Sequence, residues 1–327
     1  MLRRDVAISF EGPRPCREAG GPRRREAEAG FSGTTAVKPW GSINYKAKMR
    51  LGFHVSIAGK IYEAVDRAKE LGSETMQIFS RNPRGWQALR LKRCDAEEFK
   101  KRRKKRDIFP LFVHIPYLIN LASPDKKLYF KSIKACIEDI KRADLLGADF
   151  FVTHLGSHVG SGEEEGIERF TRALNTIIDS SKPKTAILLE TTAGSGFSLG
   201  YKFKHIASIV DKIKHKDKVG VCLDTQHIYA AGYDIVNDLD GILRVFDDII
   251  GLKRLKTIHL NDSKSTLGSR VDRHEHIGGG KIGLSAFRRI LNHPRLKHLP
   301  FIMETPKKTA KDDIKNMKVV RRLCGRK

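Results

Sequence analysis

Cysteine is scarce and unpaired in this sequence: Cys16, Cys94, Cys136, Cys222 and Cys324 are odd in number, far apart and without a CxxC spacing. That excludes a disulfide framework and a cysteine-rich zinc site, leaving reduced thiols of cytoplasmic type, with Cys222 expected inside a strand. Long apolar runs are also missing. No stretch approaches the roughly 18 residues of a membrane span, so a soluble protein without a membrane partner is expected. The first 48 residues lack the apolar core of a signal peptide, and five acidic residues among them argue against an organelle-targeting segment. Rich in Gly, Pro and Arg, they are expected to form a disordered extension ahead of a single domain over 49–327. Met49 is read as the natural start, which would leave 1–48 outside the native protein. Acidic residues are the remaining shortage: 38 Asp and Glu stand against 63 Lys and Arg, a formal charge of +25. Residues 1–48 hold ten basic and five acidic residues, so +20 falls on the remainder, a balance that favours a polyanionic partner.

What is present is a regular series of strand-length apolar runs, at 51–54, 75–79, 109–114, 150–154, 186–190, 219–224, 257–259 and 301–304. Their centres lie 25 to 44 residues apart, room for one strand, one helix and two loops each time. The intervening segments carry helical stripes: Ile61, Ala64, Val65, Ala68 and Leu71; then Ile133, Cys136, Ile137, Ile140 and Leu145; then Phe170, Leu174, Ile177 and Ile178. These spacings predict an α/β fold of the (β/α)8, or TIM, barrel type. In that architecture chemistry is placed at the C-terminal ends of the strands and in the loops after them. His54, His114, His154, Glu190, Asp224, His259 and Glu304 all close their runs. The barrel therefore gathers them around one mouth, although the first and last are 250 positions apart.

Histidine and carboxylate without cysteine is a donor set for zinc, and His227, Asp272 and His274 extend it. Leaving His54 aside, the other nine suit a cluster better than a single ion. In a strongly basic protein they point to metal-assisted cleavage of a nucleic acid, because bound metal lowers the pKa of water and neighbouring ions stabilise attacking and leaving oxygens. No nucleophilic side chain is then needed.

The ordered motifs carry a resemblance. HVSIAG (54–59), FSRNPRGW (79–86), HIPYLINLASPD (114–125), HLGSH (154–158), LETTAGSG (189–196), GVCLDTQHIYAAGYD (220–234), HLNDSK with GSRVDRHEHIGGGKIG (259–283) and MET (303–305) closely resemble the endonuclease IV family of apurinic/apyrimidinic (AP) endonucleases. The resemblance covers about residues 50–305. It implies a three-zinc site in which His114 and His154 bind the first ion and Glu190 bridges it to the second, completed by Asp224, His259 and Glu304. His227, Asp272 and His274 would hold the third. His276 competes for that last position, and the ungapped step from His259 to Asp272 favours His274. The implied activity is hydrolysis 5′ to an abasic site in double-stranded DNA by a protein acting as a monomer, with Glu190 as the central catalytic residue.

The resemblance also implies that Arg84, Tyr117 and Leu118 enter the DNA at the lesion, with Trp86 beside them. Insertion unstacks a duplex most cheaply where a base is already missing. Gly278, Gly279 and Gly280 are too weak a signal for a phosphate cradle and read as a turn. Two departures stand out: Lys60 replaces a second glycine after Gly59, and Thr191-Thr192 replaces an Asn-Thr pair. Neither removes a ligand. The alternative is a sugar isomerase or epimerase on the same barrel, which needs fewer metals and leaves the DRH segment, the NPRGW loop and the basic surplus unexplained.

Overall fold

The computed structural model describes residues 49–326; the extension expected over 1–48 lies outside the described residues. Eight parallel strands close a barrel: β1 (Arg50–His54), β2 (Thr75–Phe79), β3 (Leu111–His114), β4 (Phe150–Thr153), β5 (Ala186–Glu190), β6 (Val219–Asp224), β7 (Leu255–His259) and β10 (Pro300–Met303). Each expected run is a strand of this barrel, with ends that agree to within two residues. The run expected from 109 begins at Leu111, because Pro110 has no N–H to give to the ladder. His154 and Glu304 stand one residue past their strands, at the start of the loops.

Helices α1 (Glu63–Glu70), α2 (Arg93–Lys105), α3 (Lys126–Leu146), α4 (Glu163–Ser181), α5 (Phe203–Lys212), α6 (Thr225–Ala231), α7 (Leu239–Ile249), α8 (Gly283–Asn292) and α9 (Ala310–Leu323) lie in the connections and after the last strand. The expected stripes are their buried faces: Ile133, Cys136 and Ile140 on α3, and Phe170, Leu174, Ile177 and Ile178 on α4. Asp125 caps α3 by accepting from the Leu128 N–H at 3.0 Å, and Gly147 ends it with a left-handed φ of 67°. Among the described residues no helix is long and apolar enough to cross a membrane.

The two-residue period of the strands divides the core. Leu111, Val113, Ile187, Leu189, Val219 and Val221 belong to the large cluster that also takes in the helices. Phe112, Phe150, Val152, Ala186, Leu188, Cys222 and Ile302 form a second, smaller cluster that fills the bore, with the Phe112 and Phe150 rings stacked at 5.1 Å. Cys222 is thus buried in a strand, as expected. Above this floor the same alternate positions become polar, ending in His114, His154, Glu190, Asp224 and Glu304. Close strand contact at the first seam requires Gly52, where a Cβ would come within 2.0 Å of the Thr75 carbonyl oxygen.

One element has no counterpart in the apolar pattern. After β7, strands β8 (Asp262–Ser263) and β9 (His274–Glu275) pair antiparallel, Ser263 opposite His274. This short ribbon returns the chain to the barrel mouth with His274 on β9 and Asp272 just before it.

Candidate metal centre

Glu190, fully buried at the end of β5, lies at the centre of the mouth. One carboxylate oxygen is 2.9 Å from Nε2 of both His114 and His154, and the other is 2.7 Å from Nδ1 of His259. His259 Nδ1 also approaches Glu304 Oε2 at 3.3 Å and Asp224 Oδ2 at 3.9 Å. A third group adjoins these: His227 and His274 place Nε2 at 3.4 and 3.5 Å from the two oxygens of Asp272, and His274 Nε2 is 3.8 Å from Asp224 Oδ2. The nine residues named from the sequence therefore form three overlapping groups that share Glu190 and Asp224.

Local structure sets their directions. Asp224 ends β6 and caps α6, accepting from the His227 N–H at 2.9 Å, which turns the first helical residues back across the mouth. His114, His227 and His274 donate from Nδ1 to the carbonyls of Ile115, Thr191 and Glu304 at 2.8, 2.7 and 3.1 Å. Those bonds leave each Nε2 facing a carboxylate, the arrangement by which ligating imidazoles are usually oriented. Thr191 does further service by accepting the Asp224 N–H on its hydroxyl at 2.9 Å, so threonine at this position is built into the support.

Three supporting residues escaped sequence reasoning. Gln77 accepts from His259 Nε2 at 2.9 Å and donates to Glu304 Oε1 at 2.6 Å, while Asn261 donates to Asp224 Oδ2 at 2.6 Å and accepts the Glu304 N–H at 2.8 Å. Asp262 takes the N–H groups of Gly278, Gly280 and Ile282 at 2.9, 3.1 and 2.9 Å. The triple-glycine turn thus spends its donors on a buried carboxylate and has few for a phosphate. His276 faces Asn316, Nδ1 to Nδ2 3.0 Å, and joins none of the three groups, whereas His274 does.

Electrostatics match the geometry. Burial would raise the Glu190 pKa, but His259 and His154 outweigh it and hold the group well below the ordinary range; Glu304 is likewise held down against burial by His259 and His54. Burial opposes charge on His227, yet Asp224 and Asp272 push its pKa up to about 10. Asp272, against burial, is lowered to about 2 by His227. The Glu190, Glu304 and Asp272 carboxylates are ionised and draw positive charge toward the gaps between them. His274 Nε2 is buried without a hydrogen-bond partner, an orphaned acceptor aimed at its group. Imidazole and carboxylate around such gaps fit divalent metal ions. Cys222 Sγ also approaches Glu190 and His259, but burial pushes its pKa up to about 12, so it stays a thiol beneath the site.

The groups open into a cavity of about 520 Å³ lined also by Phe79, Tyr117 and Lys307. A second cavity of about 260 Å³, lined by Asn120, Ser157 and Ser195, lies on another side of Tyr117 and reaches His154, His227 and Asp272. Tyr117 is 65 % exposed and packs edge-on to Phe79 at 5.3 Å. Leu118 and Arg84 are exposed beside it. Trp86 is half-buried under the Lys131 ammonium, 4.2 Å from the ring centroid.

The whole described barrel has known relatives. Residues 65–322 match the family model described as a xylose isomerase-like TIM barrel. The chain is 46 % identical over 277 residues to the probable endonuclease 4 of Halothermothrix orenii, covering 84 % of this chain and all of that one. The crystal structure of endonuclease IV from Thermus thermophilus superimposes with a TM-score of 0.77 at 37 % identity, covering 84 % of this chain and 99 % of the other. The chain belongs to the endonuclease IV family. A D-psicose 3-epimerase also superimposes, with a TM-score of 0.61, but at 14 % identity it shares the fold alone. Seen against endonuclease IV, the two departures noted in the sequence are mild. Lys60 is exposed in the turn before α1, where its carbonyl accepts the Glu63 N–H at 2.9 Å, and Thr192 donates to the Leu199 carbonyl at 2.9 Å.

Proposed function

We propose that this chain is a DNA-repair endonuclease that hydrolyses the phosphodiester bond 5′ to an abasic site in double-stranded DNA. Water oxygen bonds to phosphorus and the bond to the 3′-oxygen breaks, so one product ends in a 3′-hydroxyl and the other in a 5′-deoxyribose phosphate. The observation that carries this reading is the position of Glu190, one carboxylate oxygen facing His114 and His154 and the other facing His259. Three zinc ions fit the donor set: His114, His154 and Glu190; Glu190, Asp224, His259 and Glu304; and His227, Asp272 and His274. Zinc supplies Lewis acidity, lowering the pKa of water toward about 7 and stabilising charge on attacking and leaving oxygens.

The protein's own residues do the rest. Glu190 fixes the spacing of the first two groups, Gln77 and Asn261 hold His259 and Asp224 in place, and Arg84, Tyr117 and Leu118 meet the DNA. Exposed Tyr117 and Leu118 beside the cavity suit insertion where a base is missing. We assign the activity to the domain over 49–327, working as a monomer in the cytoplasm. The test is product mapping on a duplex with one abasic site and no added Mg²⁺: a 3′ end that a polymerase extends supports hydrolysis, and an unsaturated, unextendable end refutes it.

A further inference from the structure

Arg84 and Tyr117 stand on different loops, after β2 and β3, yet both loops are fastened to one helix. Arg81, only 4 % exposed, forms a two-pronged pair with the fully buried Asp139 of α3: Nε and Nη2 reach its two oxygens at 2.8 and 2.9 Å, and Ser80 Oγ adds a third bond at 2.8 Å. The remaining nitrogen of Arg81 donates to the Gly85 carbonyl, immediately after Arg84. One turn along α3, Arg142 donates to the carbonyls of Ser80 (Nε, 3.1 Å) and Leu89 (Nη1, 2.8 Å), closing the two ends of the same loop. The Tyr117 loop leads directly into α3, and its Asn120 N–H donates to Ser132 Oγ of that helix at 3.0 Å.

We propose that Arg81, Asp139 and Arg142 are positioning residues that lock the Arg84 loop to the helix supporting the Tyr117 loop, so that both meet an abasic duplex as one preformed unit. The proposal rests on the reading of the mouth as an abasic-DNA site. Its physical basis is that a buried ion pair adds little net stability over a well-packed apolar pair, whereas its fixed geometry can specify one arrangement. Preformed loops also avoid an ordering cost on binding.

The deciding variant is Arg81→Met/Asp139→Leu, which removes both charges together and leaves none stranded. Thermal midpoint, affinity for abasic and intact duplexes, and single-turnover incision at saturating DNA are measured on the full chain with zinc. The expected result is a folded protein whose affinity for the abasic duplex falls about tenfold, with intact-duplex affinity and saturated rate held within about threefold. Adding Arg84→Ala should cost affinity in the parent and almost nothing in the double variant. Unchanged preference for the abasic duplex, or equal loss on both duplexes, overturns the proposal. If the double variant does not fold, Arg142→Met, which removes the carbonyl contacts of a half-buried side chain and keeps the Arg81–Asp139 pair, decides by the same two outcomes. A parent protein that does not prefer abasic DNA would instead refute the functional reading beneath it.

Discussion

Glu190 shows how much one side chain carries at this mouth. Its two oxygens face three imidazoles within 2.9 Å, so Glu190→Gln keeps the volume and removes the charge that organises two groups. Incision by Glu190→Gln should fall by about three or more orders of magnitude while abasic-duplex affinity largely survives, because the residues proposed to meet DNA, Arg84, Tyr117 and Leu118, lie elsewhere. Near-normal single-turnover cleavage would remove Glu190 from the centre of the chemistry. Gln77 tests the supporting layer, since its one amide joins His259 to Glu304. Gln77→Leu should weaken zinc binding by about 10- to 100-fold in a chelator competition, with the barrel intact. Six of the nine candidate ligands, His114, His154, Glu190, Asp224, His259 and Glu304, were legible because each closes an apolar run, whereas His227, Asp272 and His274 were placed by the motifs that carry the family resemblance. Gln77 was not legible, because a glutamine two places inside a run carries no donor signature, and Asn261 and Asp262 read only as polar residues after His259.

At the level of elements, the strands and helices were legible wherever a periodic apolar face is long enough to be seen. The eight runs and the stripes of α3 and α4 became barrel and core. The β8–β9 ribbon did not announce itself: two-residue strands have no period, and their pairing is set by Asp262 gathering the N–H groups of the turn after β9. Polar links between elements were equally silent. Glu163, in the first turn of α4, accepts from Tyr201, from Lys202 at 2.8 Å and from His205 at 3.1 Å, tying that helix to the loop before α5 and to α5 itself. Burial would raise its pKa, but Lys202, Tyr201 and His205 lower it to about 2. A carboxylate depressed on folding stabilises the native state above its ordinary value of about 4.5 and loses that contribution as pH falls toward 2. Glu163→Gln should therefore cost about 1 kcal/mol at pH 7, after allowance for solvent screening, and the gap should close as pH is lowered through this window. Denaturant midpoints of both proteins at pH 7 and pH 3 measure it; an undiminished gap at pH 3 would point to lost packing instead.

For the molecule as a whole, the +25 charge is a poorer map of the mouth than the strand ends are. The densest basic run, residues 100–106, ends α2 and precedes β3, which puts it at the N-terminal end of the barrel strands, away from the mouth. Part of it is also spent internally, Arg102 on Asp66 and Glu98, Arg106 on Asp66 and Arg103 on Asp149. On the proposed reading, net charge gives general attraction to DNA and discrimination comes from the rim. These two contributions separate experimentally because phosphate contacts release counterions and aromatic contacts do not. If about five phosphates are neutralised, log K should fall with log salt at a slope near −4.5 for abasic and intact duplexes alike. Tyr117→Ala removes an exposed ring braced on Phe79 and no charge, so it should leave that slope in place and lower affinity for the abasic duplex selectively. Binding curves for both duplexes at several salt concentrations check both parts at once. Should Tyr117→Ala weaken the two duplexes equally, the ring is rim packing, and selection of the lesion must be sought in Leu118 or Arg84.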